Sequence, residues 1–181
     1  AGFVGGLQTR RDQAAVQGDF VPGEGQNLTA GLDWLDDHIT GSTAYDVDSR
    51  ENTGVFAEYQ GRFGAQQLQA GLRGDDNEQF GSHTTGNLGW GWHFDGGLLL
   101  SARYSTGFRA PSFNDLYYPY FGNPDLQPEE SKNLNLALSG QVQAWRWTLD
   151  VFENRVDDLI SFDSTTWLPG KVDRARLRGG E

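Results

Sequence analysis

Apolar and polar residues alternate along this chain, in runs of about ten residues that are separated by polar connections. In the run Leu98–Ser105, the even-numbered positions are Leu, Leu, Ala and Tyr, and three of the four odd-numbered positions are Ser, Arg and Ser. Successive side chains of a β-strand point to opposite faces, so a period of two predicts strands with one apolar and one polar side. The alternation predicts strands at about 9–21, 26–36, 52–63, 66–74, 84–94, 97–107, 131–142 and 144–155, with a ninth beginning near 172.

The predicted connections alternate between short and long. The short ones lie near 22–25, 63–65, 95–96 and 141–143, and the long ones at 36–51, 75–83, 108–130 and 156–171 are rich in Asp, Asn, Ser and Tyr. Barrels of the bacterial outer membrane have short periplasmic turns and longer extracellular loops. The chain is therefore predicted to be all-β, an antiparallel up-and-down meander in the wall of a transmembrane β-barrel, with no helix longer than two turns.

Aromatic residues gather beside the short connections. Trp90, Trp92, Phe94, Trp145 and Trp147 all lie within a few residues of one of them. Amphipathic rings are enriched at the level of the lipid headgroups, which agrees with a membrane wall. The alternative is that these rings form the core of a soluble β-sandwich, for example a carbohydrate-binding module. The loop asymmetry and the shortage of Leu, Ile and Val favour the barrel.

Composition excludes several classes of protein. The chain has 181 residues, a formal charge of -11 and no cysteine. Nucleic-acid binding requires clustered Lys and Arg, which the acidic balance disfavours. Without cysteine there are no disulfides, thiolate zinc sites or Cys nucleophiles. No apolar stretch approaches the roughly 20 residues of a membrane helix. Because the alternation is already under way at both ends, the chain is expected to be a piece of a longer protein.

Two blocks carry a more specific signal. Phe108-Arg-Ala-Pro111 ends one predicted strand, and Gly122-Asn-Pro-Asp-Leu-Gln-Pro-Glu-Glu-Ser131 leads into the next. This pair resembles the barrel signature of TonB-dependent outer-membrane transporters, F-[KR]-A-P followed by G-N-P-x-L-x-P-E-x-S. The resemblance implies that residues 1–181 are a segment of a 22-stranded barrel, whose N-terminal plug and remaining strands are absent from this chain.

The same resemblance implies a location and partners. The full-length protein is expected in the outer membrane of a Gram-negative bacterium, with lipid and lipopolysaccharide around the wall and TonB contacting the absent plug segment. Asp75–His83 and Arg155–Ile160 resemble the members that transport cobalamin. The implied cargo is thus cobalamin or a related corrinoid. A siderophore or haem receptor with the same fold remains the alternative.

Candidate ligand-binding residues follow from the residue types and from the resemblance. Tyr117, Tyr120 and Phe121 are rigid aromatics in the long connection, and such rings suit a flat corrin. The resemblance places Tyr120 at an aromatic that contacts substrate and Phe121 at the Tyr that follows. This sequence has one residue more than the family pattern here, Tyr118 or Pro119, so the alignment of Tyr120 and Phe121 can shift by one position. Thr9 resembles a substrate-contacting Thr near the extracellular end of its strand.

A second set of residues is predicted to shape the long connection rather than to touch ligand. Its prolines reduce the entropy cost of ordering a long loop, and Arg109 is expected to pair with Glu129 or Glu130. This loop-architecture set is Arg109, Pro111, Asn123, Pro124, Pro128 and Glu129.

No residues of the chain form a recognisable catalytic set, so an enzyme is not expected. His38, His83 and His93 are far apart and have no catalytic motif around them. The acidic stretches 33–48 and 75–78 are interpreted as solvated loops rather than calcium sites, and no cofactor or metal is assigned. The resemblance still allows calcium binding by the full-length protein, because the family's calcium-binding loops belong to an earlier barrel segment than this one.

Overall fold

Within residues 6–181, nine β-strands follow one another in chain order, and each pairs antiparallel with its sequence neighbour in a single sheet. The computed structural model describes residues 6–181. The predicted meander is confirmed, and the helix α1 in this range is only five residues long. The elements are β1 (Leu7–Phe20), β2 (Gln26–Gly41), β3 (Ser49–Phe63), β4 (Gln66–Asn77), β5 (Gly81–His93), β6 (Leu99–Arg109), α1 (Phe113–Tyr117), β7 (Glu129–Val142), β8 (Trp145–Asp163) and β9 (Leu168–Gly180).

The register places the apolar positions of neighbouring strands opposite one another. Trp92, Leu100, Leu138 and Leu149 form one row across β5 to β8. Directly opposed residues share a face of the sheet, and we name the face with this row the outward face. The row that contains Arg103 and Asn135 lies three positions further along the strands, on the other face, and defines the inward face. The predicted facing is therefore confirmed.

The outward face is apolar and exposed. Leu72, for example, is 64% exposed, and Val55 and Leu149 are exposed to a similar degree. All nine strands lie in one sheet, so within residues 6–181 no second sheet packs on this face. That arrangement differs from a sandwich, whose apolar face would be a dry core. In the same range of residues, no helix has the length and hydropathy needed to cross a membrane.

The predicted lengths of three long connections are wrong. β2 continues to Gly41 and β8 to Asp163, so the connections shrink to residues 42–48, 78–80 and 164–167, while 110–128 remains long. The strands extend because their backbone hydrogen bonds continue after the apolar alternation has stopped. Where both faces of a hairpin contact water, both accept polar side chains, and the sequence loses its period of two.

The inward face carries an ion cluster that links β2 to β4 across the intervening strand. Arg73 donates to both carboxylate oxygens of Asp33, at 2.7 and 2.9 Å, and pairs with Asp75 on its own strand. Its guanidinium passes over Gly54 of β3, where a Cβ atom would lie 2.6 Å from Cζ of Arg73. The missing side chain of Gly54 thus makes room for the ion cluster.

Candidate ligand-binding loop

The connection between β6 and β7 is a folded unit with its own small core. We call residues 110–128 the β6–β7 loop. Leu116 is 1% exposed, and Phe113, Leu126 and Pro111 are also buried. Among the described residues, the buried hydrophobic side chains that form the core are Phe113, Leu116 and Leu126 of this loop and Ile39 from the end of β2. Because the loop packs on itself, it can hold side chains in fixed positions.

Local signals in the sequence explain how this unit forms. Ser112 caps α1 by accepting from the backbone N–H of Asp115, whose carboxylate accepts in return from the backbone N–H of Ser112. Such a capping box satisfies backbone donors at the start of a helix. After α1 the chain turns back so closely that a Cβ atom at Gly122 would lie 2.5 Å from the carbonyl oxygen of Leu116. Only glycine fits at that point.

Glu129 joins three strands at the base of the loop. Its carboxylate accepts from Arg109 on β6, at 3.1 Å, and from the backbone N–H of Ile160 on β8, at 2.8 Å. Glu129 is only 8% exposed, so both partners compensate for the cost of burying its charge. The ion pair expected between Arg109 and one of the two glutamates is present, and it uses Glu129.

Asn123 ties the other end of the loop to β9. Its side-chain amide donates to the carbonyl oxygen of Pro169 at 3.1 Å, and its side-chain oxygen accepts from the backbone N–H of Asp125. Pro128 is buried beside Glu129, whereas Pro124 is exposed. Four of the six residues of the loop-architecture set, Arg109, Pro111, Asn123 and Glu129, thus make hydrogen bonds that fix the loop, and the architectural role of the whole set stays a prediction.

Arg50 of β3 holds the β6–β7 loop from the side. Its guanidinium donates to the carbonyl oxygen of Pro111 at 2.9 Å and to Gln79 at 3.3 Å. It also lies 5.0 Å from the ring centroid of Phe113, within the range of a cation–π contact. One side chain thus connects three hairpins.

The tyrosines of the loop differ in their surroundings. Tyr117 accepts a hydrogen bond from the side chain of Gln79 at 2.9 Å. Tyr118 lies edge-on to Tyr45 of the β2–β3 connection, with ring centroids 6.2 Å apart. Tyr45 donates to Asn114, and the loss of hydration around its phenol raises its pKa above the ordinary value. Tyr117 and Tyr118 are therefore partly engaged by neighbouring hairpins.

Tyr120 combines a highly exposed side chain with an unusual backbone conformation. It is 96% exposed, and its φ of 67° lies in the left-handed region. That conformation is unfavourable for a bulky residue, and such strain persists only where surrounding structure imposes it. Phe121 follows it and is 48% exposed. The loop thus presents two aromatic rings to the exterior from a rigid base.

The remaining predicted residues lie elsewhere. Thr9 is on the inward face of β1, opposite Ile39, and among the described residues no hydrogen bond joins it to the β6–β7 loop. The acidic residues of 33–48 and 75–78 do not gather in one place: Asp33 and Asp75 pair with Arg73, and Asp37 pairs with Arg11. Within residues 6–181 no group of three or more potential ligands is arranged to hold a metal.

Sequence reasoning missed three residues of this region, Tyr45, Arg50 and Gln79. Each belongs to a different hairpin from the loop it contacts. The Asp-Asn-x-Gln segment that contains Gln79 carries part of the family resemblance, but nothing in a linear pattern shows that Gln79 contacts Tyr117. Contacts between loops depend on the register of the whole sheet.

Replacement of Arg50 by methionine is expected to loosen the β6–β7 loop. The apolar stem remains, but the carbonyl of Pro111 loses its charged donor, a change of about 1.5–3 kcal/mol. Hydrogen exchange of the full-length protein should show faster exchange in residues 112–126, with strands β6 and β7 unchanged. Arg62→Met, on the inward face near the short turns, is the matched control. Equal protection of the loop in Arg50→Met and wild type would refute the role assigned to Arg50.

Comparison with known proteins identifies the fold and the family. The family described as TonB dependent receptor-like, beta-barrel matches residues 2–181. The chain belongs to this family. The vitamin B12 transporter BtuB of Photobacterium profundum is 36% identical over 183 residues, which cover 97% of this chain and 30% of that protein. The chain therefore spans less than a third of the length of this relative.

Solved structures show the same fold. The siderophore receptor PirA of Pseudomonas aeruginosa superposes with a TM-score of 0.81 at 20% identity, over 97% of this chain and 36% of that one. The copper transporter OprC gives a TM-score of 0.79 at 17% identity, over 97% and 34% of the two chains. At this level of identity the similarity shows only that the barrel wall has the same fold.

Proposed function

We propose that this chain forms the wall and part of the ligand entrance of a TonB-dependent outer-membrane transporter for cobalamin or a related corrinoid. The 36% identity to a vitamin B12 transporter, over 97% of the chain, is the observation that carries the choice of cargo. The exposed apolar outward face and the family support a place in the outer membrane of a Gram-negative bacterium.

The proposed role is capture and passage rather than reaction chemistry. In such a transporter the extracellular loops bind a scarce ligand, a plug closes the barrel, and TonB relays the energy that lets the ligand through. TonB would contact the plug, which lies outside this chain. The polar inward face supplies wall for that plug, and the outward face meets the lipid.

Within this chain we assign the first contact with ligand to Tyr120 and Phe121. Both rings are exposed, and their loop is already ordered by its own core, by Arg50 and by Glu129. Binding to a preorganised loop costs little conformational entropy. Aromatic rings provide broad, rigid contact area for a planar macrocycle. Tyr117 is assigned a supporting place, since its hydroxyl is engaged by Gln79.

A siderophore receptor is the second candidate. Aromatic loops suit siderophores as well, and the siderophore receptor PirA has the same wall. The cobalamin proposal is preferred because the match to BtuB extends to sequence, whereas the match to PirA is one of fold.

Removal of the two exposed rings is expected to weaken cobalamin binding by the full-length transporter. Tyr120→Gly or Phe121→Ala should each cost about 0.5–1.5 kcal/mol, the scale of one aromatic contact. Glycine at 120 also removes the backbone strain at φ 67°, so stability should stay level or rise while affinity falls. Calorimetry with cyanocobalamin and thermal unfolding of each variant measure the two quantities separately.

The control for this prediction is Trp145→Ala, an exposed aromatic beside the short β7–β8 turn. It should lower stability and leave cobalamin affinity unchanged. If the affinity for cobalamin is unaltered after combined replacement of Tyr117, Tyr120 and Phe121, the loop does not bind the ligand and has only an architectural role.

A further inference from the structure

The connection between β8 and β9 carries two aromatic side chains, at the same end of the sheet as the β6–β7 loop. β8 begins at Trp145 beside a short turn and runs to Asp163, and residues 164–167 join it to β9. We call residues 162–168 the β8–β9 tip. Phe162 and Trp167 of this tip are 57% and 64% exposed, so both rings are largely open to the exterior.

The two rings of the β8–β9 tip form a pair that leaves ring faces open. The centroids of Phe162 and Trp167 lie 6.0 Å apart at an interplanar angle of 82°, which is an edge-to-face contact. In such a pair the edge of one ring covers one face of the other, and the remaining faces are not covered by this contact. A flat aromatic group can therefore stack on the pair without displacing either ring.

Trp167 is held in an unfavourable backbone conformation. Its φ of 59° lies in the left-handed region, which a bulky residue rarely adopts, and Tyr120 is the other aromatic residue with a positive φ among the described residues. Hydrogen bonds within the turn hold this conformation. The backbone N–H of Trp167 donates to the carbonyl oxygen of Asp163 at 2.8 Å, and the carboxylate of Asp163 accepts from the backbone N–H of Thr165 at 2.7 Å. Backbone strain of this kind is concentrated at sites that hold ligands.

Two hydrogen bonds join this hairpin to the β6–β7 loop. Asn123 of the loop donates to the carbonyl oxygen of Pro169 at 3.1 Å, and Pro169 is a buried residue directly opposite Phe162. Glu129, at the base of the loop, accepts from the backbone N–H of Ile160, on the same strand as Phe162. The loop and the β8–β9 tip are therefore connected, and a ligand held by the exposed rings of the loop has a second aromatic pair on the neighbouring hairpin.

We propose that Phe162 and Trp167 bind the aromatic base of a corrinoid's nucleotide tail, while Tyr120 and Phe121 contact its macrocycle. A cobalamin has two flat groups, the corrin ring and the heterocyclic base at the end of its nucleotide tail, and the chain presents two exposed aromatic pairs on adjacent hairpins. Heterocyclic bases stack on aromatic side chains because every base has a π-face. This inference rests on the proposed function, and it adds the residues that recognise the nucleotide tail.

The test compares two corrinoids by calorimetry on the full-length transporter in detergent: cyanocobalamin, and dicyanocobinamide, which lacks the nucleotide tail. Trp167→Gly removes the indole and relieves the backbone strain at φ 59°, so the fold should be retained. The variant should bind cyanocobalamin about fivefold or more weakly, the scale of one base stacked on an aromatic side chain. Its affinity for dicyanocobinamide should be unchanged. Trp167→Phe keeps an aromatic ring and should retain most of the affinity for cyanocobalamin.

Two further variants provide the comparison. Trp145→Ala removes an exposed indole at the opposite end of the same strand, and it should bind both corrinoids as wild type does. Tyr120→Gly should weaken both corrinoids, because both contain the macrocycle. Equal loss of affinity for the two corrinoids in Trp167→Gly, or no loss for either, would overturn the proposal and leave the proposed transport function standing. Wild-type protein that binds neither corrinoid would instead contradict the proposed function, and this inference with it.

Discussion

An arginine in place of Leu138 should lower the free energy of unfolding of the full-length transporter in lipid vesicles by about 2–4 kcal/mol. Leu138 is the third of five outward positions on β7 between Leu134 and Val142, and it lies between Leu100 and Leu149. At this depth a guanidinium loses its hydration and finds no partner on the outward face. Denaturant titration of folding into vesicles provides the measurement.

The neighbouring residue supplies the control. Ala137 faces inward, opposite Ser101 and Asp150, so an arginine there meets a carboxylate and water instead of lipid. Ala137→Arg should cost much less than Leu138→Arg. Comparable losses for the two variants would contradict the assignment of the outward face to the membrane.

Obstruction of the gap above Gly54 should cost about 2 kcal/mol of stability. A valine at this position would occupy the space through which Arg73 reaches Asp33, leaving that carboxylate without its cation. A charged group that loses its partner in a partly buried site is costly, more so than an exposed pair. Urea unfolding of Gly54→Val and of Arg73→Met should show a loss for both variants, and the loss for Arg73→Met should be at least as large because it also removes the pair with Asp75.

Two further variants check the cause of that loss. Gly89→Val is the matched control, since Gly89 also lies in a strand and a Cβ atom there meets its nearest neighbour at an ordinary 3.5 Å. It should be tolerated. Arg73→Met combined with Asp33→Asn and Asp75→Asn should recover part of the lost stability, because no carboxylate is then left unpaired. A loss from Gly89→Val as large as that from Gly54→Val would assign the effect to strand glycines in general.

The sequence alone predicts the membrane wall well, because alternation has a direct physical cause. Lipid on one side and water on the other require a period of two, so residues such as Leu100 and Arg103 could be placed on their faces in advance. The strand order also follows, since short turns join antiparallel neighbours. The signature residues Arg109 and Glu129 were recognised, and their ion pair is present in the fold.

Other features depend on interactions that no linear pattern contains. β8 extends to Asp163 because hydrogen bonds with β9 continue beyond the apolar band, where side-chain polarity no longer alternates. Arg50 meets Pro111 only because the register brings two separate hairpins together. The left-handed backbone of Tyr120 occurs where the chain returns so that Gly122 lies against Leu116, a turn that a residue list does not reveal.

Isothermal titration of the detergent-solubilised full-length transporter with cyanocobalamin, and with a ferric siderophore in parallel, distinguishes the two cargoes. Cyanocobalamin should bind saturably at one molecule per transporter, more weakly in Tyr120→Gly, and the siderophore should show no saturable binding. Saturable binding of the siderophore without binding of cyanocobalamin would contradict the proposed cobalamin transport and assign the transporter to the other cargo.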